Sequence, residues 1–272
     1  MITRRHALAL FSSVSLLPAR GLADVAPQRS EIRERLAKHF VDAGTVGTFV
    51  GYKVEDYLVI ASDNNRSGEA KPPASTFKIP NSLIALDTGV VGDPDNDVFK
   101  WDGVKRPIEG WNRDHTLRTA IAASAVPVYQ EIARRIGAQR MQQYIDVFEY
   151  GNRDIGGGID QFWLTGNLRI DPVQQVDFID RLRRGALLVS KRSQDIVRDI
   201  LPVTKVGDAV IRAKSGLLGA ELGRPSLGWM VGWAEKDRTN TVFALNMDCP
   251  EPHHAAERMN ITQQCLLDIG AI

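Results

Sequence analysis

Ser75 and Lys78 stand three residues apart where a helix-spaced apolar run begins, Phe77-Ile79-Leu83-Leu86. Side chains at i and i+3 share a helix face, so the lysine there can take the proton of the serine hydroxyl. A serine is a poor nucleophile until that proton leaves, and the pair reads as a nucleophile carrying its own base. Spacing alone is a weak signal, since two common residue types recur at this separation about once by chance in a chain of this length. Serine is also a common helix cap and lysine a common surface charge. The neighbours Phe77 and Ile79 argue instead for a helix surrounded by protein, where desolvation favours the neutral amine that a base must be. A helix N-terminus also offers free backbone N–H groups to a developing oxyanion. Pro80 removes one early helical hydrogen bond, a tolerable loss in the first turn.

Further motifs follow downstream: Ser124-Ala125-Val126, Tyr150-Gly151-Asn152 and Lys214-Ser215-Gly216. The elements that must position them read as β-rich, then helical, then β-rich. Glu31 to Phe40 carries apolar residues at four-residue spacing and predicts an initial helix. Strands are predicted over 47–54 and 57–61, and a loop over 62–73. Apolar residues at helical spacing mark 121–136, 139–148, 172–188 and 193–200. Short strands return at 209–213, 228–235 and 241–247, and a helix over 257–267 closes the chain. The fold class is therefore α+β: one antiparallel sheet built from both ends of the chain and flanked by N- and C-terminal helices, with a mostly helical domain inserted. The catalytic unit spans 24–272, its sheet subdomain drawn from 24–70 and 203–272 and its helical subdomain from 71–202.

Residues 1–23 have the pattern of an export signal. Arg4 and Arg5 open it, Ala7 to Leu17 are apolar, and Gly21-Leu22-Ala23 offers a small-residue cleavage site, which places the mature chain in the periplasm. The apolar run is too short for a permanent membrane span. Removing the segment takes away three arginines and moves the formal charge from +1 to about −2, which speaks against nucleic acid and stable membrane association as partners. The chain of 272 residues has 43% hydrophobic and 25% charged residues, an ordinary globular composition that leaves monomer and homodimer open. Cys249 and Cys265 read as buried thiols, the adjacent His253 and His254 as a solvated pair, and Gly156-Gly157-Gly158 as a flexible turn without the lysine of a phosphate loop. No cysteine pair has metal-ligand spacing, and no metal is expected.

The motif set resembles that of the penicillin-recognising serine enzymes, and more narrowly the class D serine β-lactamases, the oxacillinase family. The resemblance runs from about residue 45 to the last helix. It rests on Pro73-Ala74-Ser75-Thr76-Phe77-Lys78-Ile79-Pro80-Asn81, Lys100-Trp101-Asp102-Gly103, Ser124-Ala125-Val126-Pro127-Val128, Tyr150-Gly151-Asn152, Phe162-Trp163-Leu164 and Lys214-Ser215-Gly216. Val126 stands where other penicillin-recognising enzymes usually carry asparagine.

The resemblance implies hydrolysis of a small-molecule β-lactam through an acyl-enzyme on Ser75. It implies that Lys78 is carboxylated by carbon dioxide or bicarbonate to a carbamate that serves as general base for acylation and deacylation, with no other cofactor and no metal. Trp163 would hold the carbamate through its indole N–H, a donor only. Ser124 would relay protons or stabilise the lysine, and Lys214 would set a positive charge near the substrate carboxylate. Backbone N–H groups of Ser75 and Leu217 would form the oxyanion hole. Gly216 would let substrate approach the strand, Ser215 replaces the usual threonine, and Arg258 would pair with the β-lactam carboxylate. Trp229 and Met230 are expected to border the pocket with the loop 217–227. Two activities share part of the motif set: a β-lactam sensor that is acylated without turnover, and a DD-peptidase.

Overall fold

The computed structural model describes residues 29–219 and 227–272. The expected export segment, 1–23, and residues 220–226 of the loop 217–227 lie outside that description.

A seven-stranded sheet runs in the order β1-β3-β2-β7-β6-β5-β4. Its strands are β1 (Arg29–Ile32), β2 (Gly47–Lys53), β3 (Leu58–Ala61), β4 (Val203–Val206), β5 (Ala209–Leu218), β6 (Leu227–Lys236) and β7 (Thr239–Asp248). The two ends of the chain meet at β2 and β7, where Val50 pairs with Ala244. Side chains of a strand alternate between its faces, and β6 shows why both faces are covered. Trp229, Val231 and Trp233 pack into one apolar cluster, while Met230 and Ala234 pack into the other.

The second cluster lies beneath the closing helix, α8 (His254–Asp268), which contributes Ile261, Cys265 and Leu266. The first is covered by the helical layer: α2 (Lys78–Asp87), α3 (Leu117–Ala122), α4 (Val126–Ile136), α5 (Ala138–Phe148), α6 (Pro172–Arg183) and α7 (Lys191–Ile200). Helix α2 is buried along its length from Lys78 to Leu86, and its polar Asn81 and Ser82 both find hydrogen-bond partners on Tyr129. Its first turn holds Pro80, where the missing N–H costs least.

The structure departs from the sequence reading in specific places. The expected helix 31–40 is instead β1, a 3-10 turn over Glu34–Ala37 and the short α1 (Lys38–Asp42). Leu36 and Phe40 are buried as their spacing suggests, but Ile32 is exposed. β1 pairs in parallel with β3, satisfying backbone groups that an uncovered edge would leave open. The sheet is therefore mixed rather than wholly antiparallel. The run 121–136 is split by Ser124, whose φ is +52, because Pro127 cannot donate back to residue 123. The predicted helix 172–188 stops at Arg183. Gly185 has φ +69, and its N–H bonds Leu182 O at 3.0 Å while that of Ala186 bonds Arg181 O at 2.8 Å, a glycine-terminated C-cap.

Candidate active site

Ser75 sits in a 3-10 turn, Ala74–Phe77, that runs directly into α2. The Ala74 N–H donates to the Trp163 carbonyl at 3.0 Å, and Thr76 Oγ1 donates to Pro73 O at 2.7 Å. Behind Pro73, the Trp229 indole donates to Pro72 O at 2.9 Å. Two separate elements, the Trp163 segment and β6, thus hold the backbone on which Ser75 is displayed, and Thr76 braces the turn from within.

Lys78 Nζ and Ser75 Oγ share a hydrogen bond of 2.8 Å. Lys78 is 0% exposed. Burial holds its pKa well below the ordinary lysine value, and the nearby charge of Lys214 pushes the same way; both disfavour the ammonium form. Phe77, the residue before Lys78, stacks on Trp163 at 5.4 Å. Trp163 is itself fully buried, and its Nε1 has no hydrogen-bond partner among the described residues. A buried donor left without an acceptor is costly.

Lys214 lies within β5 rather than just after a shorter strand. Its ammonium donates to Ser124 Oγ at 3.0 Å and to the Ser215 carbonyl at 2.8 Å. Burial first, and the charge of Arg258 second, pull its pKa down to about 7. Arg258 donates from Nη1 to the Gly216 carbonyl and from Nε to the Ala255 carbonyl at 2.7 Å.

Ser75, Ser124, Val126, Ser215, Leu217 and Arg258 all line one cleft of about 440 Å3. Lys78, Trp163, Lys214 and Gly216 lie buried around it. A larger, more open hollow of about 600 Å3 between α1 and α8 is lined by side chains such as Lys38, His39 and Glu257, and it holds no buried nucleophile beside a neutral amine. Among the described residues no group of three or more His, Cys, Asp or Glu is placed to hold a metal ion, and no helix is long and apolar enough to cross a membrane.

Several residues take other places than the sequence suggested. Trp229 is buried against Pro72, and Met230 faces the α8 side of the sheet; neither lines the cleft. At Gly216 a Cβ would lie 3.1 Å from Trp229 Cβ and 3.2 Å from both Pro73 O and Thr76 Cγ2. The glycine thus leaves β5 and the Ser75 turn in close approach, with little room for a side chain. Tyr150-Gly151-Asn152 supports the site from behind. The Tyr150 ring meets Phe77 edge-on at 5.8 Å, and Asn152 Oδ1 accepts the Arg169 N–H at 2.9 Å. Gly151 has φ +57 and no room for a Cβ, which would fall 2.0 Å from Arg169 O.

Within the glycine run 156–158, Gly156 and Gly157 pack closely, a Cβ on Gly157 falling 2.6 Å from Gly166 Cα. His254 is buried rather than solvated and accepts the Glu251 N–H at 3.1 Å. Cys249 and Cys265 are free and buried. Sequence reasoning missed the apolar wall of the cleft, Ile108, Trp111 and Leu164. Ile108 and Trp111 lie in an irregular segment without periodicity, and the only signal for Leu164 was its place beside Trp163.

The sequence matches the penicillin-binding protein transpeptidase domain family over residues 40–267. It is 43% identical over 258 residues to beta-lactamase OXA-48 of Klebsiella pneumoniae, covering 95% of each chain. It is 42% identical over 236 residues to beta-lactamase OXA-10 of Pseudomonas aeruginosa, covering 86% of this chain and 88% of that one. The crystal structure of the class D beta-lactamase YbXI from Nostoc superposes with a TM-score of 0.83 at 36% identity, covering 89% of this chain and 100% of the other. FUS-1 (OXA-85), a class D beta-lactamase from Fusobacterium nucleatum subsp. polymorphum, gives 0.84 at 33% identity, with the same coverage.

Proposed function

Because the chain belongs to the class D β-lactamases and is a serine β-lactamase, we propose that it opens the β-lactam ring through an acyl-enzyme on Ser75, with Lys78 carboxylated on Nζ. The observation that carries this reading is the Lys78 amine, wholly buried and 2.8 Å from Ser75 Oγ. Only a neutral amine adds carbon dioxide, and burial supplies that state. The residues present also fit the product, since the buried Trp163 N–H, beside the Phe77 that precedes Lys78, has no partner among the described residues and is free to donate to an anionic acceptor. As a carbamate, the bound carbon dioxide supplies a carboxylate-like base at neutral pH.

The chain's own groups then have the following roles. Ser75 Oγ gives up its proton and bonds to the lactam carbonyl carbon; the carbon–nitrogen bond breaks, and Ser124 delivers a proton to the leaving nitrogen. Lys214, bonded to Ser124, adjusts that hydroxyl and attracts the substrate carboxylate together with Arg258. Val126 keeps the Lys78 side of the cleft apolar, and backbone N–H groups of Ser75 and Leu217 receive the oxyanion. A water then cleaves the Ser75 ester and restores the hydroxyl. Residues 1–23 direct the chain to the periplasm, where the mature enzyme acts as a monomer or homodimer.

The match to a transpeptidase domain keeps a second reading in view, a sensor or peptidase that stays acylated. Hydrolysis of benzylpenicillin and oxacillin by the purified chain, run past many turnovers with and without bicarbonate, separates the two. Sustained turnover enhanced by bicarbonate is expected. One burst per enzyme that then stops, with drug held on Ser75, would overturn the proposed deacylation chemistry.

A further inference from the structure

We propose that His115 is a positioning residue for the β-lactam cleft, tying the wall made by Ile108 and Trp111 to α3, the helix that leads into Ser124. The inference rests on the cleft around Ser75 being the site of β-lactam hydrolysis. His115 does not line that cleft and is 2% exposed. Its backbone is fixed by a reciprocal pair with Phe99: the Phe99 N–H donates to His115 O at 2.7 Å and the His115 N–H to Phe99 O at 3.0 Å. Its ring then reaches in two directions. Nε2 lies 2.9 Å from the Gly110 carbonyl oxygen, and Nδ1 lies 3.2 Å from Thr119 Oγ1.

The two partners assign the tautomer. A carbonyl oxygen only accepts, so Nε2 carries the ring proton. Nδ1 of the neutral ring is then the acceptor, and the Thr119 hydroxyl, which also faces the Thr116 carbonyl at 3.2 Å, shares its one proton between the two. Burial lowers the pKa of this ring, which keeps it in that neutral form.

Gly110 belongs to the 3-10 turn Glu109–Trp111, next to Trp111 in the cleft wall. The Trp111 indole donates to Ala123 O at 3.1 Å, one residue before Ser124. Thr119 sits in α3, which ends at Ala122. The contacts therefore close a ring, from Thr119 through His115, Gly110 and Trp111 to Ala123, and back along the chain to α3. The ring fixes two things at once. It holds an irregular, half-exposed wall that has little regular structure of its own. It also braces the turn at Ser124, whose φ of +52 persists only where the surroundings over-determine it. None of this follows from spacing, since His115 lies in no chemical motif.

Two substitutions separate the ring nitrogens. His115→Asn places its amide at the level of Nδ1, keeping a partner for Thr119 and losing Gly110. His115→Gln places an amide N–H at the level of Nε2 and keeps Gly110. Oxacillin, with a bulky side chain for the wall to meet, is compared with 6-aminopenicillanic acid, which has the same nucleus and a bare amine. In His115→Asn the ratio of kcat/KM for oxacillin to that for 6-aminopenicillanic acid falls about tenfold, chiefly through KM, the size of one lost hydrogen bond. In His115→Gln it stays within about twofold of wild type. An equal loss on both substrates in both variants, or an unchanged ratio in His115→Asn, would make His115 a support of the fold only and overturn the proposal. A substrate-free readout tests the clasp apart from the chemistry. Solvent exchange of the Trp111 indole N–H in the free enzyme accelerates about tenfold in His115→Asn and not in His115→Gln. If the wild type hydrolyses neither compound, the hydrolase reading fails, and the exchange comparison still decides the positioning role.

Discussion

Replacing Trp163 with phenylalanine removes one buried N–H and keeps an aromatic ring beside Phe77. That N–H has no partner among the described residues, and a buried donor without an acceptor costs about 1–3 kcal/mol. Trp163→Phe relieves that cost but leaves a void where the larger ring stood, and the void opposes the gain. The stability of the uncarboxylated protein should therefore change little. The effect on carbon dioxide should be large. An anionic acceptor on Lys78 would engage the indole, and a hydrogen bond to a charged group contributes about 1.5–3 kcal/mol. At about 1.4 kcal/mol per tenfold, Trp163→Phe should raise the half-saturating bicarbonate concentration roughly 10- to 100-fold. The assay is to strip carbon dioxide by degassing at mildly acidic pH, then titrate bicarbonate back while following oxacillin turnover. Carbon-13 bicarbonate NMR on the same samples reads the carbamate directly. Equal half-saturation in both proteins would refute the role of the indole, and no carbamate signal in either would refute carboxylation.

Gly216→Ala places a methyl group 3.1–3.2 Å from Trp229, Pro73 and Thr76. Overpacking of this kind costs about 1–3 kcal/mol, so Tm should fall by several degrees and the rate of Ser75 acylation should fall with it. A lower Tm at unchanged acylation rate would show that the strain stops short of the serine. Lys214 has its pKa drawn down to about 7, whereas an unfolded lysine titrates near 10.4. Between these values the unfolded chain binds a proton that the folded chain does not, so stability decreases as pH falls through the window and levels off below about 7. Lys214→Met should show a flatter denaturant-derived stability curve from about pH 7 to 10, and coincident curves would contradict the shift. With Cys249 and Cys265 free and buried, a reductant should alter neither Tm nor turnover; a drop in Tm would reveal a bridge.

Ser75 and Lys78 were legible because a single helical or 3-10 turn brings residues at that spacing together, whatever surrounds them. The same holds for the apolar spacing of α4 to α7, a periodicity of local backbone geometry, while β5 to β7 were legible as short runs bounded by turn residues. Local geometry also explains the failures. The periodicity at 31–40 was real for Leu36 and Phe40, but the sheet edge at β3 captured residues 29–32 as a strand. The pattern across 121–136 did not register the turn at Ser124 and Ala125, where the chain leaves the helical region for two residues.

The sequence by itself determined the Ser75–Lys78 pairing and the order of sheet and helical segments, and it named most of the residues that meet at the cleft. Tertiary structure alone decided how that site works as one environment. Lys214 reaches Ser124 across 90 residues of chain, Arg258 meets Gly216 from the last helix, and Trp163 loses every partner for its indole N–H among the described residues. The wall of Ile108 and Trp111 and its clasp at His115 join segments with no shared period. Burial is the common reason. The depressed pKa values of Lys78 and Lys214, and the cost of an unpartnered donor, are set by how the helical layer closes over the sheet, and that packing is a property of contacts distant in the chain.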